Sequence, residues 1–155
     1  LIRTFGSQTV FTSVQVVDGD SLRNGVEDIR LHGIDAPEYR QTCRDGDGNS
    51  YACGKQAARH LRKLINNAPV SCQVIDTDRY GRTIGVCSAN GVELNQAMVK
   101  AGWAVAYTSH SLGYVLIQDE ARQARRGIWQ GAFEQPEDWR DANRAGLSAS
   151  QLPTD

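Results

Sequence analysis

The stretch Ile29–Glu38, IRLHGIDAPE, decides how the rest of the chain is interpreted. Its apolar residues Ile29, Leu31 and Ile34 are typical of a β-strand, yet Arg30 interrupts them and two acids follow. Because successive side chains of a strand point to opposite faces, we expect Arg30 on the face away from its two neighbours. The stretch therefore predicts a strand that fills a core on one side and carries a cation, close to carboxylates, on the other.

The size and composition of the chain predict an ordinary globular protein. Its 155 residues suit one domain, which we place at residues 1–145, followed by a disordered tail at 146–155. The chain is 40% hydrophobic and 23% charged, values typical of soluble domains. No apolar run approaches the roughly 18–20 residues of a membrane span, so no membrane association is expected. Because the chain begins at Leu1, a signal peptide is expected to have been removed.

The basic residues favour phosphate more than the net charge does. The formal charge is only −1, which is not typical of a polyanion-binding protein. However, 14 of the 17 basic residues are arginine, whose planar group binds phosphate through two parallel hydrogen bonds. An arginine-rich solvated surface is the alternative explanation.

Two of the four cysteines are predicted to form a disulfide across a hairpin. The segments VSCQVIDT and RTIGVCSA are typical of strands, and the intervening DRYG is typical of a turn. If Arg79 and Tyr80 are at the centre of that turn, Cys72 lies seven residues before it and Cys87 seven residues after it. Opposed strand residues have Cα atoms about 4.5–5.5 Å apart, which a disulfide can bridge.

The remaining pair, Cys43 and Cys53, would close the loop CRDGDGNSYAC, in which we find no core residues. Two disulfides predict an oxidising compartment, either the periplasm or the exterior of the cell. No Cys-x-x-Cys motif is present, which argues against a zinc site. Four reduced and buried thiols are the alternative.

Turn signals and hydrophobic periodicity divide the chain into five strands and three helices. The architecture predicted from them is mainly β with helices, an α+β fold in which a five-stranded OB-type barrel is covered by three helices. The predicted elements are a three-stranded meander over 8–17 and 21–34, a polar loop at 36–53, a helix from Lys55 to Asn66, a hairpin of 70–77 and 82–88, and helices over 91–102 and 112–126.

Three acids are candidate ligands for a hard cation. Asp20 follows a strand turn, and Asp35 follows the strand that contains Arg30, so a meander can bring both to one end of the barrel. With Glu38 they offer the carboxylate oxygens that such cations prefer. Taken singly, each has an ordinary explanation: a solvated turn acid for Asp20, a helix capping box for the other two, and a surface ion pair for Arg30.

The order of several motifs is more specific than any one of them. VVDGDS, IRLHGIDAPE and DTDRYGRTIG are followed by LNQAMVKAGWAVAY and EARQARRGIW. Over roughly residues 10–130 this pattern closely resembles the staphylococcal nuclease (thermonuclease) family, and the paired cysteines resemble those of a secreted bacterial subgroup. The resemblance implies a five-stranded OB barrel and calcium-dependent hydrolysis of DNA and RNA that leaves 3′-phosphate ends.

The resemblance also implies a metal site and a general base. Asp20, Asp35 and the backbone carbonyl of Ala36 would bind calcium, while Glu38 would contact it through water and act as the general base. The chemistry of the ligands alone does not exclude Mg²⁺, which also binds carboxylates together with phosphate oxygens.

The resemblance also implies which residues contact the phosphate and the nucleotide. Arg30 and Arg82 would bind the phosphate and act with the general base in catalysis. Arg79, Tyr80 and Tyr107 would bind the substrate. Two departures from the family pattern concern substrate affinity: Ser109 stands where a second tyrosine is expected, and a loop closed by cysteines replaces a basic one.

Three hypotheses follow from the sequence. The first is a secreted or periplasmic, calcium-dependent nuclease with nucleic acid as its substrate and no obligate protein partner. The second is a non-catalytic OB module that binds nucleic acid or a protein. The third is a metal-dependent phosphoesterase that acts on small substrates.

Overall fold

The computed structural model describes residues 8–107 and 112–150, with the backbone alone for 145–150. The strands are β1 Gln8–Phe11, β2 Gln15–Asp18, β3 Ser21–Asn24, β4 Glu27–Leu31, β5 Ile34–Asp35, β6 Cys43–Arg44, β7 Ser50–Tyr51, β8 Val70–Thr77, β9 Thr83–Ala89, β10 Val92–Glu93 and β11 Val105–Ala106. The helices are α1 Cys53–Ile65, α2 Leu94–Lys100, α3 Gly113–Gln123 and α4 Pro136–Ser150, with a short 3-10 helix at Gly127–Gln130.

The main sheet curls into a barrel of the OB type, as predicted. Its strand order is β1-β8-β9-β4-β3-β2, with β4 and β9 parallel and the other pairs in this order antiparallel. The predicted first strand, 8–17, is divided at residues 12–14 into β1 and β2, which lie at opposite ends of this order. The four steps from Phe11 to Gln15 span at most about 14 Å, so the end of β1 must lie close to the start of β2.

The apolar residues of the meander fill the barrel as their alternation predicts. Leu22, Ile29 and Leu31 are fully buried and pack in one cluster with Leu61 of α1 and Met98 of α2. A side chain of this kind gains about 1.5–3 kcal/mol on full burial. The helices therefore cover the barrel core and leave the polar faces of β3 and β4 for other contacts.

Helix α1 has the predicted amphipathic pattern. Ala57, Leu61 and Ile65 repeat every four residues and are buried. The helix ends at Asn66, which adopts the left-handed backbone conformation with a φ of 48°. A residue in this conformation is a common helix C-cap. It begins at Cys53, two residues before the predicted Lys55.

The hairpin of β8 and β9 has the predicted register at its cysteines. Cys72 pairs with Cys87 in the ladder, their Cα atoms are 4.0 Å apart, and they form a disulfide. The turn is not the tight two-residue turn that was predicted, because the register shifts by one between Val74 and Asp76. Thr77 then pairs with Thr83, and a five-residue turn, 78–82, joins the strands.

The loop closed by the second disulfide has a core of its own, which corrects the expectation that it has none. Cys43 and Cys53 are bonded and buried in a small cluster with Ile128. Trp129 and Phe133 pack against this cluster with their ring centroids 4.9 Å apart in an edge-to-face arrangement. The segment after α3 therefore holds the loop against the end of the barrel.

Residues 8–107 and 112–150 contain four α-helices, whereas the sequence predicted three. The additional helix, α4, starts with Pro136 and has Glu137 and Asp138 in its first turn, both typical of a helix start. Its backbone includes 146–150, half of the stretch expected to be a disordered tail, and 151–155 lie outside the described residues. The third helix ends at Gln123, three residues before its predicted end.

Within the described residues, the structure has no helix with the length and apolar character needed to cross a membrane.

Candidate active site at the barrel mouth

The ladder between β3 and β4 sets Asp20 beside Arg30. Ser21 is the partner of Arg30 in this ladder, and the amide of Leu31 donates to the carbonyl oxygen of Asp20 at 2.9 Å. The side chains then meet: Arg30 Nη1 lies 3.2 Å from Asp20 Oδ1. The cation in the strand is thus paired with the acid that precedes the neighbouring strand.

The same guanidinium also reaches the second acid. Asp35 ends the short strand β5 and is held in place by pairing with Val105 of β11. Arg30 Nη2 lies 3.5 Å from Asp35 Oδ1 and donates to the Ile34 carbonyl at 3.3 Å. Two buried carboxylates, far apart in sequence, therefore share one arginine.

The turn before Asp20 is packed tightly enough to require glycine. A Cβ on Gly19 would lie 2.7 Å from the Cβ of Ala36 and 2.9 Å from that of Ala57. On the other side, the amide of Ala36 donates to Asp20 Oδ2 at 2.8 Å. The Asp20 carboxylate is thereby fixed between a backbone amide and a guanidinium.

Burial dominates the electrostatics of the acids. The pKa of Asp20 is raised to about 7, mainly by burial and next by the charge of Asp18, while Arg30 opposes the increase. Burial also raises the pKa of Glu38, with a smaller contribution from the Asp20 charge, while Arg140 lowers it. A carboxyl group with a raised pKa is a stronger proton acceptor when ionised, which suits a general base.

Glu38 is positioned by a loop rather than by the ladder. Its amide donates to Gln41 Oε1 at 3.2 Å, and its carbonyl accepts from the Gln41 amide at 2.8 Å. The second residue of α1, Gly54, lies directly behind it, since a Cβ there would be 1.8 Å from the Glu38 carbonyl oxygen. The loop that carries Glu38 therefore packs directly against the start of α1.

Gln41 is a site residue that the sequence analysis missed. It is fully buried, and its amide nitrogen donates to the Glu134 carbonyl at 2.7 Å. Through its two side-chain atoms it connects the loop of Glu38 to the segment that leads into α4. In the sequence, a glutamine in a polar loop has no pattern to distinguish it from a solvated one.

Arg82 is oriented by the turn between β8 and β9. Asp78 accepts from its backbone amide at 2.9 Å and from its side-chain Nε at 2.6 Å. The aromatic ring of Tyr80 lies below two guanidinium groups, with its centroid 5.8 Å from Arg82 and 5.0 Å from Arg79. This tyrosine is 70% exposed, so most of its surface is open to solvent.

A pocket of about 500 Å³ collects most of the predicted site residues. Arg30, Glu38, Tyr80, Arg82 and Tyr107 line it, and the two aspartates lie in contact with Arg30 beneath. Arg79 does not line this pocket but stacks on a residue that does. Ser109 lies outside the described residues.

A third arginine, Arg140 of α4, enters the same pocket and was not predicted. Its Nη1 lies 2.9 Å from Asp35 Oδ1 and its Nη2 lies 3.1 Å from Asp35 Oδ2, a two-pronged ion pair. Nη1 also lies 3.4 Å from Glu38 Oε2, and Nη2 lies 3.4 Å from the Tyr107 hydroxyl oxygen. The sequence PED, which precedes Arg140 and is typical of a helix start, could have indicated α4. It could not have indicated the ion pair with Asp35, because the two residues are 105 positions apart in the sequence.

The oxygen donors suit a hard cation but are already engaged. Among residues 8–107 and 112–144, no group of three acids, histidines or cysteines is arranged to hold a metal ion. Asp20 and Asp35 supply the carboxylate oxygens such an ion prefers, and Arg30 holds them near each other. Both oxygens of Asp35 are bonded to Arg140, so these donors fit a cation once that arginine has moved.

Comparison with known proteins supports the architecture. Residues 28–131 match the family described as Staphylococcal nuclease homologue. The chain is 34% identical over 134 residues to the succinoglycan biosynthesis protein ExoI of Rhizobium meliloti, which covers 84% of this chain and 69% of that protein. It is 36% identical over 131 residues to an uncharacterized endonuclease of Escherichia coli, covering 79% of this chain and 78% of that protein.

A plant relative shows the same match within a longer protein. The chain is 34% identical over 121 residues to the staphylococcal-like nuclease CAN1 of Arabidopsis thaliana, covering 76% of this chain and 34% of that protein. The barrel, the acids beside Arg30 and these matches lead to one conclusion. The chain belongs to the staphylococcal nuclease homologue family.

Proposed function

We propose that this protein is a phosphodiesterase that cleaves DNA and RNA as a calcium-dependent endonuclease and leaves 3′-phosphate ends. The observation that carries the proposal is the convergence of Arg30, Arg82 and Glu38 on one pocket, above two buried aspartates bonded to Arg30. The family match and the relatives named as nucleases support the reaction class. The choice of calcium and of the 3′-phosphate product rests on the resemblance to the family.

The chemistry assigns one role to each group. Attack of water on a phosphodiester increases the negative charge on the phosphoryl oxygens, and the guanidinium groups of Arg30 and Arg82 can donate hydrogen bonds to those oxygens. Glu38 can orient the water and accept its proton. The bond to the 5′ oxygen then breaks, and that oxygen takes up a proton from the solvent as it leaves, so the phosphate stays on the 3′ side.

A divalent cation bound by Asp20, Asp35 and the Ala36 carbonyl would supply Lewis-acid stabilisation of the same charge. The Asp20 carboxylate is fixed between the Ala36 amide and Arg30, which supports a preorganised ligand. Mg²⁺ has a similar demand for oxygen ligands, so both ions belong in the assay.

Substrate contacts follow from the rim of the pocket. Tyr80 is largely exposed, Tyr107 lines the wall of the pocket, and Arg79 stacks on Tyr80. Base stacking on an aromatic face tolerates any sequence, which supports a nuclease without base preference. The two disulfides support a secreted or periplasmic location, because such bonds persist in oxidising compartments.

The test is the variant Arg82→Ala, measured by cleavage of single-stranded DNA on a gel with calcium, magnesium or a chelator. Removal of one preorganised donor costs about 2.7–4 kcal/mol of transition-state stabilisation, so cleavage should fall by about 10²–10³-fold. Arg122→Ala is the matched control, because that arginine pairs only with Asp119 on the exposed face of α3 among the described contacts. Retained activity in Arg82→Ala would remove this arginine from the mechanism.

The second candidate is a non-catalytic module that binds nucleic acid. It is favoured by the ion pair of Arg140 with Asp35, which leaves the carboxylates neutralised without any cation. Tight binding of single-stranded DNA without product, in calcium and in chelator alike, would favour this module over the enzyme.

A further inference from the structure

Arg140 supplies a positive charge to the cluster of acids in the pocket. Its two Nη atoms bind the two oxygens of Asp35, and one of them also approaches Glu38. Its side chain is only 27% exposed, in contrast to 73% for Arg144 one turn later on α4. The structure thus supplies an internal positive charge where the carboxylates need one.

An incoming divalent cation would compete with this arginine. Asp35 is a proposed ligand, and both of its oxygens are already hydrogen-bond acceptors for one guanidinium. A cation bound to the same carboxylate would lie beside a like charge in a partly buried site, where repulsion is poorly screened. The cation and Arg140 therefore cannot both have their full contact with Asp35.

A displaced Arg140 would remain at the pocket. It lines the same cavity as Arg30 and Arg82 and extends from a helix whose next turn, at Arg144, also borders that cavity. The planar fork that binds a carboxylate at two points binds a phosphate in the same way. A phosphate that enters the pocket would be an acceptor in the cavity that the released group borders.

We propose that Arg140 is a substrate-binding residue that exchanges partners. In the metal-free protein it neutralises Asp35 and Glu38, and once a divalent cation takes those carboxylates it binds the phosphate of the substrate. The proposal rests on the metal site of the proposed function.

The first test measures calcium affinity by titration calorimetry, without nucleic acid, for the wild type and for Arg140→Gln. Loss of a charge-assisted contact that the cation must break should tighten calcium binding by about tenfold. Arg144→Gln is the matched control, since it removes the same charge from the same helix and pocket but pairs with Asp141 instead. Equal tightening in both variants would mean that only the overall charge matters, and would overturn the proposal.

The second test measures oligonucleotide affinity, which Arg140→Gln should lower rather than raise. At saturating calcium, binding of a short phosphorothioate-linked single-stranded oligonucleotide, which resists hydrolysis, should weaken by about tenfold in Arg140→Gln. A purely structural role for Arg140 would move both affinities in the same direction. Tighter calcium binding without weaker oligonucleotide binding would overturn the exchange of partners.

A third measurement uses the wild type and does not depend on the folding of a variant. The NMR signal of the Arg140 Nε–H group should shift on calcium saturation and shift again on addition of the oligonucleotide, while that of Arg122 stays in place. An unchanged Arg140 signal would overturn the proposal. If no form of the protein binds calcium, the metal dependence of the proposed function fails as well, whereas equal calcium affinity in the wild type and Arg140→Gln rejects the exchange alone.

Discussion

Two halves of the candidate site are built in different ways. The strand half, Asp20, Arg30 and Asp35, is placed by the ladders of β3 with β4 and of β5 with β11. The loop half, Glu38 and Arg140, is placed by side-chain contacts and by the packing of helix ends. Both halves meet at one pocket, although only the first is placed by strand pairing.

Stability and activity are expected to be coupled in the strand half and separable in the loop half. The strand half takes part in backbone pairing, Arg30 in the main sheet and Asp35 in the separate two-stranded sheet of β5 and β11, so a change there affects stability and chemistry together. The loop half depends on a few contacts, such as the close approach of Gly54 to the Glu38 carbonyl. A change there should alter chemistry while the barrel remains intact.

The largest expected effect comes from Arg30→Met in the strand half. Asp20 and Asp35 are buried and would lose a shared partner, and removing one member of a buried ion pair typically costs about 3–5 kcal/mol. Urea unfolding should therefore show a loss of about 3 kcal/mol, and cleavage should be abolished. The second change Asp20→Asn should restore part of the stability and none of the activity.

Full stability in Arg30→Met would contradict the coupling within the strand half.

The next largest effect is expected from Gly54→Ala in the loop half. The added Cβ must displace the Glu38 and Tyr39 carbonyls, which would lie 1.8 and 2.7 Å from it. A displacement of about 1 Å at a reacting group can cost about 10²-fold in rate, so turnover should fall by that order while circular dichroism stays native. The measurement is single-turnover cleavage together with thermal unfolding.

The control for this substitution is Gly25→Ala. Gly25 has a φ of +65° in the turn between β3 and β4, and a Cβ there meets no atom within 4 Å. The strain of an alanine at this φ should lower the free energy of unfolding without lowering the turnover of folded molecules. Equal loss of turnover in the two variants would show that Gly54 acts through stability alone.

The two disulfides are expected to differ in the same way, one affecting stability alone and the other affecting turnover as well. Cys72→Ser/Cys87→Ser removes a bond between residues already paired in a ladder, so we expect a stability loss of about 2–4 kcal/mol with activity retained per folded molecule. Cys43→Ser/Cys53→Ser frees the start of α1 that supports the loop of Glu38, so we expect turnover to fall as well. Cleavage rates normalised to the folded fraction separate the two outcomes, and identical rates would refute the division.

The smallest effect is expected from Tyr80→Leu, at the rim of the pocket. Stacking of a base on an aromatic ring contributes about 1–3 kcal/mol, so KM for a polymer substrate should rise by about tenfold while kcat stays near the wild-type value. Asp78 holds the guanidinium group of Arg82 near this ring, so Arg82 should stay in place. A fall in kcat with an unchanged KM would assign this tyrosine to the reaction instead.

The sequence predicted what local periodicity determines. The distance of Cys72 and Cys87 from a turn gave their pairing, and the alternation around Arg30 gave its side of the strand. The exact turn was wrong because a bulge near Ile75 has no strong signal in the residues around it. For the strand half, a short-range pattern was therefore sufficient to bring the acids and one arginine together.

The loop half was not predictable in the same way. Arg140 meets its acids across about a hundred residues, and Gln41 looks like any polar loop residue until its burial is known. Helix α4 was missed because Trp139 and Leu147 are its only large apolar residues, although its Pro136 and two following acids mark a start. Contacts of this kind depend on tertiary packing, which a single sequence does not display.

The buried amide of Gln41 has a consequence for anyone who exchanges segments between relatives of this protein. It bonds at one end to the Glu38 amide and at the other to the Glu134 carbonyl. A chimaera that inherits residues 36–53 from one parent and 131–144 from another must therefore preserve the spacing between those two backbone groups. The two segments are best transplanted as a single unit, even though nearly eighty residues of chain separate them.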